Sequence, residues 1–282
     1  MPASHDFYAS PAIYDILHTP GTAAEIDALL RLARRFLPAT RRRSPITFLE
    51  PACGTGRYLR VLASRGHRAI GFDREPAMVA YAAARVARFG RLARVFRADM
   101  ESFTKSRAPD RTSARSVLPN SIDVAFTPIN SIRHLPTDRV MLAHFDHIAR
   151  VLRPTGLYAV GLSLTAYGLE QPSEDTWSGT RGPCRVDQLV QYLPAPGGPA
   201  RLGSRARDET VLSHLTVTTP TAARHLDSTY TLRAYDLKQW ERLIARSPLR
   251  IRAVVDEDAR DFRLAPPGYA IFILRPRPAR GL

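Results

Sequence analysis

The chain is 282 residues long and 44% hydrophobic, enough for one large domain, or one domain with an inserted subdomain, so disorder is excluded as the default. Met1 to Thr19 has no apolar secretory region and no stretch nears the ~18 apolar residues of a membrane span, so a cytoplasmic chain without a membrane partner is expected. The net charge of +15 would point to nucleic acid, but Lys105 and Lys238 are the only lysines among 41 cationic residues and the arginines are spread from Arg31 to Arg280, which reads as a coding bias and a solvated basic surface.

In chain order, Pro11 to Thr19 and then Thr22 to Leu37 place apolar residues at helical spacing, with Ile26, Leu29, Leu30, Ala33, Phe36 and Leu37 on one face. Two helices therefore precede the first strand. From there strands and helices alternate: Ile46 to Cys53, Tyr58 to Ser64, Arg68 to Asp73, Pro76 to Phe89, Ala93 to Asp99, Ile122 to Thr127, Asp138 to Leu152 and Leu157 to Leu164. Short apolar strands in alternation with helices predict a parallel sheet with crossover helices. Lys105, Arg107, Arg111 and Arg115 fall in a polar surface loop between the third and fourth strands.

After Leu164 the rhythm changes. Thr165 to Thr231 has Gly/Pro-rich turns and period-2 strands, clearest in Leu226, Ser228, Tyr230 and Leu232 and in Val211, Leu215 and Val217, so a small antiparallel β insertion is predicted. A helix returns at Asp236 to Arg246, and strands at Arg250 to Val255 and Tyr269 to Leu274 have no helix between them, which predicts antiparallel pairing. The expected division is 1–164, 165–231 and 232–282. Cys53 and Cys184 are the only cysteines, too few for a disulfide framework or a structural zinc site, and no metal is expected.

The most informative segment is Phe48-Leu49-Glu50-Pro51-Ala52-Cys53-Gly54-Thr55-Gly56-Arg57, where a strand empties into a Gly-X-Gly turn and a helix. Glycines let the backbone approach a ligand closely, and a helix N-terminus presents N–H groups to polar ligand atoms. Asp73 ends the next strand, placed to accept hydrogen bonds from a ribose diol. Asp99 ends the strand after that, where an adenine amino group needs an acceptor, with Met100 beside the ring face. Each piece alone is equally an ordinary turn or cap; three consecutive strands ending in this way at one sheet edge point to a nucleoside ligand.

The run Leu49 to Arg57, with Asp73, Asp99-Met100 and Asn130-Ser131-Ile132-Arg133-His134-Leu135, resembles the class I methyltransferases that use S-adenosylmethionine (SAM), especially those methylating N or O of small molecules. The resemblance covers Phe7 to Leu274. It implies an α/β fold with a doubly wound, mostly parallel, Rossmann-like sheet and a reversed last strand. It also implies that Glu50 organises the methionine end of SAM, that Ala52, Gly54 and Gly56 form its wall, that Asp73 holds the ribose, that Asp99 and Met100 frame the adenine, and that Thr127, Pro128 and Asn130 line the cofactor near the sulfonium. Tyr8 and Tyr14-Asp15 resemble a lid in which a tyrosine covers the methionine moiety, although Tyr14 reads equally as helix packing. Arg57 is placed either at the methionine carboxylate or facing solvent.

Methyl transfer from a sulfonium is an in-line displacement, so alignment is the enzyme's main task. A hydroxyl acceptor needs a base and an amine needs its neutral form; His134 is the candidate catalytic residue, with a hydrogen bond to the following helix as the structural alternative. In similar enzymes such an insertion roofs the acceptor pocket, which makes His214, Tyr230, Arg233 and Tyr235 the candidate substrate-binding residues for a small-molecule acceptor. The other face of the insertion is free for a ligand or another subunit, so a homodimer stays open. Rival readings are a non-catalytic SAM-binding or assembly protein, an NAD-dependent oxidoreductase and an RNA methyltransferase. Gly54-Thr55-Gly56-Arg57-Tyr58-Leu59 lacks the third glycine of the dinucleotide fingerprint. Phe126-Thr127-Pro128-Ile129-Asn130 departs from the Asn/Asp-Pro-Pro-aromatic motif of base methylation, so nucleic acid is not expected as a partner.

Overall fold

The structure, a computed structural model, describes residues 10–42, 45–105, 117–197 and 206–278. Tyr8, Arg107, Arg111 and Arg115 lie outside the described residues. Helices α1 (Pro11–His18), α2 (Thr22–Phe36) and the single turn α3 (Ala39–Arg42) lead into β1 (Thr47–Pro51), α4 (Arg57–Ser64), β2 (Arg68–Asp73), α5 (Pro76–Val86) and β3 (Ala93–Arg97). Then come β4 (Ile122–Thr127), α6 (Asp138–Val151) and β5 (Leu152–Leu164). Among the described residues no helix is long and apolar enough to cross a membrane.

These strands join β10 (Leu249–Val255) and β11 (Gly268–Pro276) in one seven-stranded sheet ordered β10-β11-β5-β4-β1-β2-β3. Strands β1 to β5 pair in parallel, and β11 runs antiparallel to both β5 and β10. The last two strands do pair antiparallel, and the very last one is the reversed strand inserted beside β5. Because strand order reverses at β1, with β2 on one side and β4 on the other, a crevice opens beyond the carboxyl ends of these strands.

Apolar burial on both faces holds this sheet. On one face α2 and α4 present Ile26, Leu30, Ala33, Leu59 and Leu62 to Phe48, Val124 and Phe126. On the other, Met141, Phe145 and Ile148 of α6 and Trp240 of α7 (Leu237–Ala245) pack on Leu49, Tyr158 and Phe272. Helix α7 starts where expected because Asp236 forms a reciprocal capping box with Gln239. Among the boundaries that differ from expectation, β5 starts at Leu152 rather than at Leu157. Leu152 already pairs with Ile122, and an irregularity follows before Val124 meets Leu157.

The antiparallel segment is a four-stranded sheet, β6 (Ser173–Arg181), β7 (Cys184–Leu193), β8 (Asp208–Thr219) and β9 (Ala222–Arg233), in sequential order. Its inner face, with Val186, Leu215 and Val217, packs on Ile16 and Leu17 of α1. Gly179 of β6 approaches α1 so closely that an added Cβ would lie 2.5 Å from the Ile16 carbonyl oxygen. The opposite face carries Arg185, Asp187, His214, His225 and Asp227, hydrophilic side chains open in varying degree to solvent.

Candidate functional site

A cavity of about 650 Å³ occupies the crevice at the carboxyl ends of β1, β2 and β3, roofed by α1 and β9. Ala52, Gly54, Asp73, Asp99 and Met100 line one side; Tyr14, Ser131, His134 and Tyr230 line the other. The backbone after β1 is built for close approach: Ala52, Gly54 and Gly56 all have positive φ (53°, 50° and 69°). Gly54 lies under the Tyr14 ring, which an added Cβ would meet at 3.6 Å, so this turn and the lid helix share one narrow gap.

Asp73 is buried and braces that turn. Its Oδ2 accepts the Gly54 N–H at 2.9 Å and its Oδ1 accepts the Glu75 N–H at 2.9 Å. Burial pushes this carboxyl above the ordinary aspartate value while the backbone donors oppose the shift. The Arg74 backbone N–H adds a third donor, and part of the carboxylate's acceptor capacity remains. Glu50 ends β1 nearly fully buried, and its Oε2 has no hydrogen-bond partner among the described residues. Burial drives its carboxyl well above the usual range, with Arg57 opposing and Asp73 adding to the rise. Glu50 does not itself line the cavity, but a buried carboxyl with an unused oxygen two residues before Ala52 fits a cationic donor such as the ammonium of an amino acid.

His134 comes from the 3-10 turn Ser131–His134 and stacks obliquely near Tyr230, ring centroids 5.6 Å apart. Its ring opens to the cavity. Desolvation within the cavity, then the Arg74 and Arg133 guanidiniums, lower its pKa below the ordinary imidazole value, although the side chain stays open to solvent. Tyr14, pushed up to about 12 mainly by burial, stays a phenol.

Several expected site residues stand elsewhere. Arg57 is neither at the cavity wall nor in solvent: its guanidinium bonds Thr22 Oγ1 at 2.9 Å and also engages Glu25 and the Tyr58 hydroxyl, tying α4 to α2. Thr127 is wholly buried and bonded to the Tyr158 hydroxyl. Asn130 is spent on β5, where its Oδ1 accepts the Ser163 N–H at 2.7 Å and its Nδ2 donates to Ser163 Oγ at 2.9 Å. Consecutive left-handed residues, Ile129 and Asn130 (φ 48° and 63°), turn the chain there, so Ser131, His134, Leu135 and Pro136 form the wall instead. Gly56 lies behind the wall against Ala82.

Of the four residues expected to read the acceptor, only Tyr230 reaches the cavity. His214 projects from the outer face of the sheet and pairs with Asp227 at 2.8 Å. Arg233 is buried with Asp138 at 3.4 Å and Asp208 at 3.8 Å. Tyr235 is enclosed against Trp240 beneath the Arg207 guanidinium. Sequence reasoning missed Arg74, Glu75 and Glu101 on the cavity rim, and Ser228, Thr229 and Thr231 beside Tyr230; their adjacency to Asp73, Asp99 and Tyr230 was the available signal.

Residues 48–156 match the family model described as a methyltransferase domain. This segment is a methyltransferase domain. No curated protein sequence matches the chain. Among solved structures, the methyltransferase domain and the sheet packed on it are similar to DesVI of Streptomyces venezuelae, with a TM-score of 0.71 at 17% identity over 97% of this chain and 100% of that one. The sugar N-methyltransferase KedS8 from Streptoalloteichus sp. gives 0.64 at 19% identity, over 93% and 90% of the two chains. SAM-bound CalS10, an amino pentose methyltransferase from Micromonospora echinaspora, gives 0.62 at 16%, over 98% and 99%. The likeness is one of fold: the whole chain, antiparallel sheet included, has the architecture of these class I methyltransferases.

Proposed function

We propose that this chain moves a methyl group from SAM to a nitrogen of a small polar acceptor, such as an amine borne on a sugar. The observation that carries the reading is the single cavity of about 650 Å³ that joins Gly54, Asp73, Asp99 and Met100 to Tyr14, His134 and Tyr230. That volume lies within the ~300–1,000 Å³ of small-ligand sites. The nitrogen assignment draws on the N-methyltransferase named among the neighbours, and on an amine needing nothing more than loss of its proton.

When bound, SAM supplies a methyl on a positively charged sulfur that leaves as a neutral thioether. The chain's own residues bind and orient. Asp73 accepts from the ribose diol with the lone pairs left after Gly54, Arg74 and Glu75, Asp99 accepts from the adenine amine, and Glu50 draws the methionine ammonium. The Tyr14 and Tyr230 rings present aromatic faces suited to the sulfonium charge. His134, neutral, accepts a hydrogen bond from the unprotonated acceptor amine at an imidazole nitrogen, turning the amine lone pair toward the methyl carbon.

Incubating the chain with isotopically labelled SAM and a panel of amino-deoxysugars, their nucleotide conjugates and the matching hydroxyl sugars tests the reading by mass spectrometry. Label is expected on amine-bearing members. Transfer confined to hydroxyl acceptors or to RNA contradicts the nitrogen assignment, and SAM binding without transfer to any acceptor pool favours a non-catalytic role.

A further inference from the structure

Behind the cavity wall runs a buried polar chain that the proposed chemistry does not use. His144 of α6 contacts the Met100 carbonyl oxygen through Nδ1 at 3.0 Å and the Tyr158 hydroxyl through Nε2 at 2.8 Å; that hydroxyl meets Thr127 Oγ1 at 2.5 Å. All three side chains are completely shielded from solvent. One turn further along α6, His147 bonds Thr104 through Nδ1 and lies on the Glu101 backbone. Two histidines three residues apart thus grip the stretch from Met100 to Thr104, where a single 3-10 turn pairs the Ser102 carbonyl with the Lys105 N–H and the Met100 carbonyl turns to His144 instead.

The donor order follows from elementary chemistry. A carbonyl oxygen only accepts, so His144 Nδ1 carries the proton. The ring has Phe103, Phe145 and Tyr158 around it, and burial keeps it neutral, with a pKa near 4. A neutral imidazole protonated at Nδ1 must accept at Nε2, so Tyr158 donates to it and Thr127 donates to Tyr158. Every polar atom of the chain then has one satisfied direction, and the chain links two walls: Met100 on the cavity lining after β3, and the end of β4. Phe103, in the gripped stretch, stacks on Phe72 of the cavity lining with centroids 4.7 Å apart.

We propose that His144 is a positioning residue for the nucleoside end of the cofactor, holding the Met100 carbonyl so that the Asp99-Met100 wall stands at the depth the adenine requires. The assignment rests on the SAM reading above. The contact to Met100 matters for the ligand, whereas the contact to Tyr158 serves the core.

Two variants separate these contacts. His144→Asn keeps an amide donor near the Nδ1 position and loses the reach to Tyr158; His144→Gln places its amide near the Nε2 position and loses Met100. Each keeps one hydrogen bond, so their melting temperatures should fall alike. SAM affinity by calorimetry should split: a loss of roughly tenfold in His144→Gln, and less than about threefold in His144→Asn. Wild-type affinity in a folded His144→Gln protein, or equal losses in both variants, overturns the proposal. Nitrogen-15 shifts of the wild-type ring test it without any variant: a protonated Nδ1 and bare Nε2 are expected, and the opposite tautomer overturns it. A wild-type chain that binds no SAM overturns the functional reading and this proposal with it, whereas failure confined to the variants or the tautomer overturns this proposal alone.

Discussion

The Asp15 carboxylate of α1 accepts the Arg181 guanidinium of β6 at 2.6 Å, fastening the lid helix to the first strand of the second sheet. The same carboxylate takes Arg60 of α4 at 2.6 Å and the Tyr81 hydroxyl of α5 at 3.0 Å, with Arg85 at 3.6 Å. Burial works to raise its pKa, but the bonds from Arg60 and Arg181 overcome it and hold the group well below the carboxylate range. Asp15→Ala leaves these arginines without their shared anion, and a loss of about 3 kcal/mol in urea-unfolding stability is expected. Because Tyr14 is the adjoining residue, SAM affinity should fall as well. Unchanged stability would mean that the cluster contributes nothing net.

His134→Ala should lower methyl transfer by roughly tenfold, the scale of one lost orienting hydrogen bond, with SAM affinity unchanged. Since desolvation in the cavity and the neighbouring arginines depress its pKa, the ring stays an available hydrogen-bond acceptor below the ordinary imidazole range. The rate ratio of wild type to variant should therefore persist from pH 8 down to 6. A ratio that collapses near pH 6.5 would assign the titration to an unperturbed histidine.

His144 gives a pH signature in stability. Its folded pKa of about 4 lies below the ordinary 6.5, so the unfolded chain binds this proton more readily. Its contribution is fully present above about pH 6.5 and is lost as pH falls toward 4, at roughly 1.4 kcal/mol per pH unit within that window. Urea midpoints at pH 7.5 and 5.5 should show a smaller pH loss in His144→Asn than in wild type, and identical slopes would contradict the assignment.

Tyr230 and Arg233 sit three residues apart on β9 and should behave differently. Tyr230→Ala, in the cavity beside His134, should raise the acceptor KM with little change in melting temperature. Arg233→Ala removes a buried partner of Asp138 and Asp208 and should lower melting temperature with modest effect on the acceptor. The reverse pattern would return the acceptor role to Arg233.

The parallel sheet was legible because its strands are short apolar runs, such as Phe48-Leu49 and Ile122 to Phe126, each closed by a turn or an acid. The glycine turn, Asp73 and Asp99 were legible for the same reason, since the sheet edge assembles whatever ends consecutive parallel strands. Strand β6 was not, because Ser173 to Arg181 is solvent-exposed except at Gly179 and carries no alternation. In β8 and β9 the alternation was plain but not which parity docks, and a period of two sends His214 outward as surely as it brings Tyr230 in. The outward turn of Asn130 depends on a β-branched residue, Ile129, in left-handed conformation, which residue type argues against rather than for.

The most direct test of SAM binding in this cavity is calorimetric titration of the whole chain with SAM, run beside Asp73→Asn. The substitution keeps one acceptor oxygen but removes the charge and the second oxygen offered to the ribose diol. A single saturable site per chain is predicted, weakened in Asp73→Asn by about 1.5–3 kcal/mol, the contribution of hydrogen bonds to a charged group. No binding by the wild type, or equal affinity in a folded Asp73→Asn protein, would contradict the placement of the cofactor at the carboxyl ends of β1, β2 and β3.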